Sequence, residues 1–293
     1  MTRKQLINKT EFTKYSNDMN TVIFEHFNVR ELDLFFAICS KLKFKRDSKV
    51  TLTFKTLKEL ANITTVSKKE MVELLDSTYD KMLNLKMKVG NEDMYSRFVL
   101  FQDYTVNNID ETITISVGEK FQYVLNNLSS NFTRFQTTEF TSLKSMYSKE
   151  VYRFLKQFRR TGQWFIKIDE FRACLRIPES YTMSDIDKRV LKKVEKELKP
   201  IFKGLSITKI RPKKNGRVER LEFRFEKETD PKKIEQEYTP EEIEDSVDFV
   251  KSGRTKQEEI LETLYSLDMS RATLEEKCMW TKKMRALTGA TED

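Results

Sequence analysis

Six cations, Lys188, Arg189, Lys192, Lys193, Lys196 and Lys199, crowd into a stretch of twelve residues, and their spacing places them together. With Ile186 set at zero and about 100° per residue, they fall between roughly 200° and 340° on a helical wheel. Ile186, Val190, Val194, Leu198 and Leu191 fall between roughly 0° and 140°, so an apolar stripe backs the charged one. Asp185 and Glu195 lie near the cationic face, whereas Asp187 and Glu197 project elsewhere. An ordinary solvated helix mixes signs to make pairs three and four residues apart. A face kept this cationic suits a polyanion, because Lys and Arg displace the counterions condensed on phosphates. Lys and Arg also read base edges, and the sequence leaves open which of these residues would do so.

A second cationic group follows. Leu205–Ile210 and Arg217–Phe225 flank Asn215-Gly216, the strongest short signal for a hairpin. Leu221, Phe223 and Phe225 alternate with Arg220, Glu222 and Arg224, so one face of the second strand packs and the other is exposed. Arg211, Lys213, Lys214 and Arg217 surround the turn and repel one another unless an anion arrives. The expectation is a wing that touches the backbone or the minor groove of DNA.

The elements that position these groups occur twice. A helix from Val29 to Leu42 carries Leu32, Phe35, Phe36 and Cys39 on one face. Val50–Phe54 follows as a strand, then a short helix over Leu57–Ala61, then a helix opened by Ser67 with Glu70 as its capping-box partner. That helix runs to about Leu85 with Met71, Leu74, Leu75, Thr78 and Met82 inward, and Lys86–Val89, Phe98–Val106 and Thr112–Val117 read as strands. The second copy has a helix over Ser148–Arg160, a strand Trp164–Ile168, a short helix capped by Asp169, and the basic helix, with Ser184 as its cap and Pro200 as its stop. Ser67 and Ser184 are 117 residues apart and the strand starts Val50 and Trp164 are 114 apart. Helix, strand, helix, turn, helix and hairpin is the order of a winged helix, whose third helix enters the major groove. The expected fold is therefore α+β and helix-rich, with two tandem winged-helix domains and a short helical C-terminal tail. The boundaries fall at 1–130, 131–228 and 229–293. In the first copy the third helix shows Glu73, Asp76 and Asp80 outward, and only Lys68 and Lys69 at its start. A groove would repel those acids, so this domain contacts DNA through the helix N-terminus or serves mainly to bind another protein.

Charge and composition narrow the classes. Residues 149–225 hold 22 Lys and Arg against 10 Asp and Glu, while residues 226–293 hold 11 against 18, within a chain of net charge +8. No run approaches the roughly 18–20 apolar residues of a membrane span, and the N-terminus lacks a signal-peptide core, which points to the cytoplasm. Cys39, Cys174 and Cys278 are distant and sit in apolar helical patterns, as buried reduced thiols do. One histidine, His26, cannot build a metal-dependent nickase, no glycine-lysine phosphate loop occurs, and three Cys cannot form a Cys₄ zinc site. The expectation is a non-enzymatic DNA-binding protein without cofactor or metal.

Three segments carry a family resemblance: Met146–Phe158, Gly162-Gln163-Trp164-Phe165-Ile166, and Leu175-Arg176-Ile177-Pro178-Glu179-Ser180-Tyr181 with 185–198 after it. Together they resemble the second domain of iteron-binding plasmid replication initiators with tandem winged helices, and a looser likeness extends over residues 5–225. The resemblance implies monomers on direct repeats at a plasmid origin, with both domains on the site. It also implies origin melting, recruitment of the host initiator and replicative helicase, and homodimers, formed through the first domain, that repress the initiator's own gene. The family's basic helix corresponds to Lys188, Arg189, Lys192, Lys193 and Lys196. The last 68 residues do not align with the family core. In them Thr239-Pro240-Glu241-Glu242 starts a helix, and Ile260, Leu261, Leu264 and Leu267 share a face, so the tail is a docking element or a semi-ordered appendage. Two other outputs stay open at this point: a winged-helix transcriptional regulator with no replication role, and a partition or scaffold factor that binds DNA without specificity.

Overall fold

The structure, a computed structural model, describes residues 11–42, 49–90, 95–126, 132–212 and 216–228. The expected helical tail and Cys278 lie outside the described residues. The described chain begins with a strand absent from the sequence reading, Phe12–Ser16 (β1), and a 3-10 turn at Asn17–Thr21. The first expected helix forms over Val29–Leu42 (α1). Its apolar residues are not confined to one face, and Leu34, Ala37 and Ile38 are as buried as Leu32, Phe35, Phe36 and Cys39. A helix that is apolar all round is a core helix.

Around α1 stand Lys49–Thr53 (β2), Phe54–Leu60 (α2) and Lys68–Met82 (α3). The capping box at the start of α3 is present: the Ser67 hydroxyl accepts from the Glu70 amide and Glu70 accepts from the Ser67 amide. Next come Lys86–Gly90 (β3), Tyr95–Val99 (β4), Phe101–Asn107 (β5) and Thr112–Val117 (β6). The expected single strand over Phe98–Val106 is broken by a bend at Leu100, so β4 pairs with β3 while β5 pairs with β6. The first winged-helix sheet is antiparallel, in the order β2-β6-β5. The hairpin β3–β4 is an insertion between the third helix and the wing strands.

Glu119–Asn126 (α4) leads to Phe132–Gln136 (β7), which returns to pair antiparallel with β1. Thr137–Ser142 (α5) and Met146–Gln157 (α6) follow. The second winged helix then repeats the plan with Gln163–Lys167 (β8), Ile168–Leu175 (α7), a third helix, Ser206–Ile210 (β9) and Arg220–Arg224 (β10), in the sheet order β8-β10-β9. Two expectations need correction. Asp169 does not cap α7; Lys167 holds that position, and Asp169 lies in the first turn, where its charge faces the positive end of the helix. Of the expected buried thiols, Cys39 is buried but Cys174 is only half-buried. The duplication itself is regular: β2 and β8 start 114 residues apart, as do α2 and α7.

Two glycines lie in the second domain's connections. At Gly162 φ is +70°, and a Cβ there would stand 2.6 Å from the Phe225 carbonyl oxygen, so only glycine lets β8 turn in beneath the end of the sheet. Gly216 has φ +63°, but the strands it lies between pair last at Ile210 and Arg220, so the second strand starts at Arg220 rather than Arg217 and no two-residue turn joins them.

The helix α6 joins the two domains. Val151, Tyr152 and Leu155 face inward as expected, yet Lys149, Glu150, Arg153 and Lys156 are buried as well, because the first domain covers the other side. Lys149 Nζ lies 2.5 Å from Asp33 on α1 and 2.7 Å from the Phe140 carbonyl. Arg153, fully buried, donates to Glu150 at 2.7 Å, to the Met19 carbonyl at 2.6 Å and to the Tyr15 hydroxyl at 3.3 Å. Its guanidinium also lies 4.8 Å from the centroid of the Phe24 ring. Burial lifts the Tyr15 hydroxyl to about 12 and, against the pull of Lys149, lifts the Asp33 carboxyl to about 7. From the second domain Arg176, a left-handed residue closing α7, reaches the Phe24 carbonyl of the first.

A buried pair that loses one partner leaves the other charge stranded. Lys149→Met is therefore expected to cost about 3–5 kcal/mol of unfolding free energy, whereas Lys149→Met combined with Asp33→Leu recovers most of that loss. Urea denaturation of the four members of this cycle checks it, and a double variant as unstable as the single one contradicts it.

Candidate nucleic-acid interface

The third helix of the second domain is continuous but not uniform. It consists of Met183–Ile186, a π turn over Asp187–Leu191, and Lys192–Leu198, together α8. Ser184 is not its cap. Thr182 is: its hydroxyl accepts from the Asp185 amide at 3.3 Å, and Asp185 accepts from the Thr182 amide at 3.0 Å. The Thr182 hydroxyl, which also donates to the Asp185 carboxylate at 2.6 Å, and the Thr182 amide hold that carboxyl below its usual range. With Thr182 as the cap, the two capping positions stand 115 residues apart, closer to the 114 of the strands and second helices.

The π turn has a cause in the sequence. Ile186, Val190, Val194 and Leu198 recur every fourth residue and are all buried. In an ideal α-helix each four-residue step drifts by about 40°, so four such residues would spiral away from one neighbour. The Lys192 amide donates to the Asp187 carbonyl, five residues back, and the wider turn takes up the drift. The apolar stripe then stays on α6, against which α8 packs. Lys188, Lys192 and Lys196 share the four-residue spacing, as do Arg189 and Lys193, so the same turn keeps the cations in register on the far side.

Lys188, Arg189, Lys192, Lys193 and Lys196 are all exposed. Lys188, Lys192, Lys193 and Lys196 have no carboxylate within 4 Å among the described residues. The acids of the helix are engaged elsewhere. Asp187 pairs with Lys209 of β9 at 2.7 Å, and Glu195 pairs with Lys199 at 2.9 Å. Glu197 accepts from the backbone amides of Lys144 and Ser145, at 3.0 and 3.2 Å, where the chain turns into α6. Arg189 is held differently. Its guanidinium lies 5.0 Å from the centroid of the Tyr181 ring and 3.7 Å from Asp185. The contact by which Tyr181 orients Arg189 goes beyond the sequence expectation, in which Tyr181 is only part of a motif. Its place just before the cap of a basic helix was the available signal.

At the wing, Arg211 and Arg217 are exposed, and Lys213, Lys214 and Asn215 lie outside the described residues. In the first domain Lys68 and Lys69 are exposed at the start of α3, each near an acid: Lys68 is 3.2 Å from Glu111 and Lys69 is 3.9 Å from Glu73. Glu73, Asp76 and Asp80 line the exposed side of α3 as expected. The first wing ends in Asn107-Asn108-Ile109-Asp110-Glu111, acidic where the second is basic. The two domains thus share a plan and differ in the sign of the charge they present. His26 is exposed at the surface. Among the described residues no helix is long and apolar enough to cross a membrane.

Comparison with known proteins agrees with this geometry. Residues 13–156 match the family profile described as "Initiator Replication protein, WH1", and residues 167–225 match "Initiator Rep protein, WH2". Over 224 residues the chain is 32% identical to "Probable replication protein rep" of Bifidobacterium longum (strain NCC 2705), covering 75% of this chain and 74% of that protein. Among solved structures it resembles the Pi initiator protein, crystallised in complex with iteron DNA, with a TM-score of 0.61 at 14% identity over 76% of this chain and 99% of that one. That likeness is one of fold.

The capping assignment has a direct consequence. Thr182→Ala is expected to lower the unfolding free energy by roughly 1 kcal/mol, while Ser184→Ala leaves it nearly unchanged. Chemical denaturation of the two variants side by side checks it; the reverse order of effects restores Ser184 as the cap.

Proposed function

The chain belongs to the family of initiator replication proteins, and from that premise we propose that it initiates plasmid replication by binding directly repeated duplex DNA at an origin through α8 of its second domain. The observation that carries this reading is the exposed row Lys188, Lys192, Lys193 and Lys196, with no carboxylate within 4 Å among the described residues and a buried apolar stripe behind it. A winged helix lays its third helix in the major groove, with the wing on the neighbouring backbone. Arg211, Lys213, Lys214 and Arg217 are the wing's contribution. Arg189 sits in the N-terminal half of α8, where recognition helices meet base edges, and Tyr181 fixes its guanidinium before DNA arrives.

The first domain has a lesser part in duplex binding, because Glu73, Asp76 and Asp80 oppose phosphates along α3. Its contact is confined to the start of that helix, at Lys68 and Lys69, and its other role is to pair with a second copy. Opening of the origin next to the bound repeats, recruitment of the host initiator and replicative helicase, and repression of the chain's own gene by the dimer complete the proposal.

The test is binding to a duplex that carries several direct repeats from upstream of the gene, measured across salt concentrations. Each of Lys192→Ala and Lys193→Ala is expected to reduce the slope of log K against log salt by about one unit. If a combined variant at Lys188, Arg189, Lys192 and Lys193 binds the repeats as the natural chain does, α8 is the wrong helix. Preference for a lone inverted repeat over direct repeats argues against the initiator reading altogether.

A further inference from the structure

The hairpin β3–β4 is no part of a winged helix, and the interface on α8 does not use it. Its two strands pair Lys86 with Val99, Lys88 with Arg97 and Gly90 with Tyr95. Alternation sends Met87 and Phe98 toward the core and leaves Lys86, Lys88, Tyr95, Arg97 and Val99 exposed. Like charges directly opposite on neighbouring strands are unfavourable, and Lys88 and Arg97 are such a pair. Among the described residues the two cations share an aromatic ring rather than a carboxylate: Lys88 Nζ lies 4.2 Å and the Arg97 guanidinium 5.4 Å from the centroid of Tyr95. Lys68, Lys69 and Lys81 of the preceding helix each have an acid within 4 Å, whereas Lys86, Lys88 and Arg97 have none among the described residues. Tyr95 itself is half exposed, at 51%. The residue directly opposite it is a glycine, so from the facing strand it is Lys88, two residues along, whose side chain reaches the ring.

We propose that this face of the β3–β4 hairpin is a binding surface for single-stranded nucleic acid, on which a base stacks against Tyr95 while Lys86, Lys88 and Arg97 contact the flanking phosphates. Cations alone would serve a duplex backbone equally well. The exposed ring decides for a single strand, because duplex bases are already stacked on one another and offer no free face. Aromatic side chains set among cations are the usual platform for single strands. The surface lies outside α8, and the inference does not depend on the duplex-binding role given to that helix.

The experiment uses the full chain and a fluorescent oligothymidine of about 16 nucleotides, followed by anisotropy beside a mixed-sequence duplex. Tyr95→Ala is expected to weaken single-strand binding about fivefold or more, and Tyr95→Phe to retain it. The pair Lys88→Gln and Arg97→Gln is expected to flatten the salt slope by about 0.7 per removed cation. Both leave duplex affinity unchanged, while Lys192→Ala with Lys193→Ala weakens the duplex and spares the single strand. All the hairpin positions changed are exposed, and the Gln pair keeps the question answerable should Tyr95→Ala fail to fold. Unchanged oligothymidine binding by the hairpin variants overturns the proposal and leaves the cations as guards of two open strand edges. A parallel loss of duplex and single-strand binding overturns it equally, since the hairpin would then grip the duplex backbone.

Discussion

The arrangement of the molecule depends on the burial of α6 on both sides. A helix that opens one domain would normally show water its charged face. Here Lys149, Glu150, Arg153 and Lys156 are instead enclosed by α1, α5, β1 and the turn at Asn17–Thr21. Burying charges costs several kcal/mol per ion, so such a contact persists only where each charge meets a partner of fitted geometry. Lys149 has Asp33 and a carbonyl; Arg153 has a carboxylate, a carbonyl, a hydroxyl and an aromatic ring. Neither set tolerates a small displacement of one domain against the other. Through α6 the same constraint reaches α8, because Glu197 accepts from the two amides that lead into α6 and the apolar stripe of α8 rests on it. The cationic row is therefore placed by the first domain as much as by its own.

That placement shows what the acids of α8 are for. A helix with six cations and four acids could have neutralised itself, and three of its acids instead serve the fold. Asp185 closes the cap with Thr182, Asp187 holds β9 and Glu197 holds the start of α6. Each is oriented by a structural partner, which leaves four lysines on the outer side with no carboxylate within 4 Å among the described residues. The π turn acts in the same direction. It straightens an apolar row spaced by four, and the lysines spaced by four follow it.

Most of the fold could be read from the chain, because hydrophobic periodicity reports the core of each domain directly. The boundaries of α1 at Val29 and Leu42 and the Ser67–Glu70 box were legible from residues close together in sequence. What could not be read depends on contacts across long separations. The strand β1 finds its partner 120 residues away, and its short sequence carries no signal that such a partner exists. On α6 the charged face looks solvated by every local criterion, since only the other domain makes it a core. The cap of α8 lies two residues before the expected Ser184, because Thr182 and Ser184 are both good caps with an acid three residues on, and only the pairing of Asp187 with the distant Lys209 takes the second acid away. For the candidate site, the row on α8 was legible as a pattern of charge, but the orienting role of Tyr181 and the cationic hairpin β3–β4 were not. Lys86, Lys88 and Arg97 are ordinary strand residues until the register brings them to one face.

Duplication of one winged helix followed by divergence of charge gives the two copies different work from nearly the same frame. The offset of 114 to 115 residues between strands, second helices and caps means the backbones place their third helices alike. Only the side chains then decide which copy meets a polyanion. In the second domain the outer side of that helix is cationic and its wing is basic. In the first it is acidic, and the wing tip bears Asp110 and Glu111 beside the exposed Ile109. An acidic face in the docking position does more than fail to bind. Under the function proposed above it would repel duplex from the first domain and leave the choice of site to α8. The inserted hairpin β3–β4 carries its cations on two paired strands, Lys86 and Lys88 on one and Arg97 on the other. Sign of charge, laid over a repeated scaffold, thus sets the two third helices apart, cationic on the outer side in the second domain and acidic in the first.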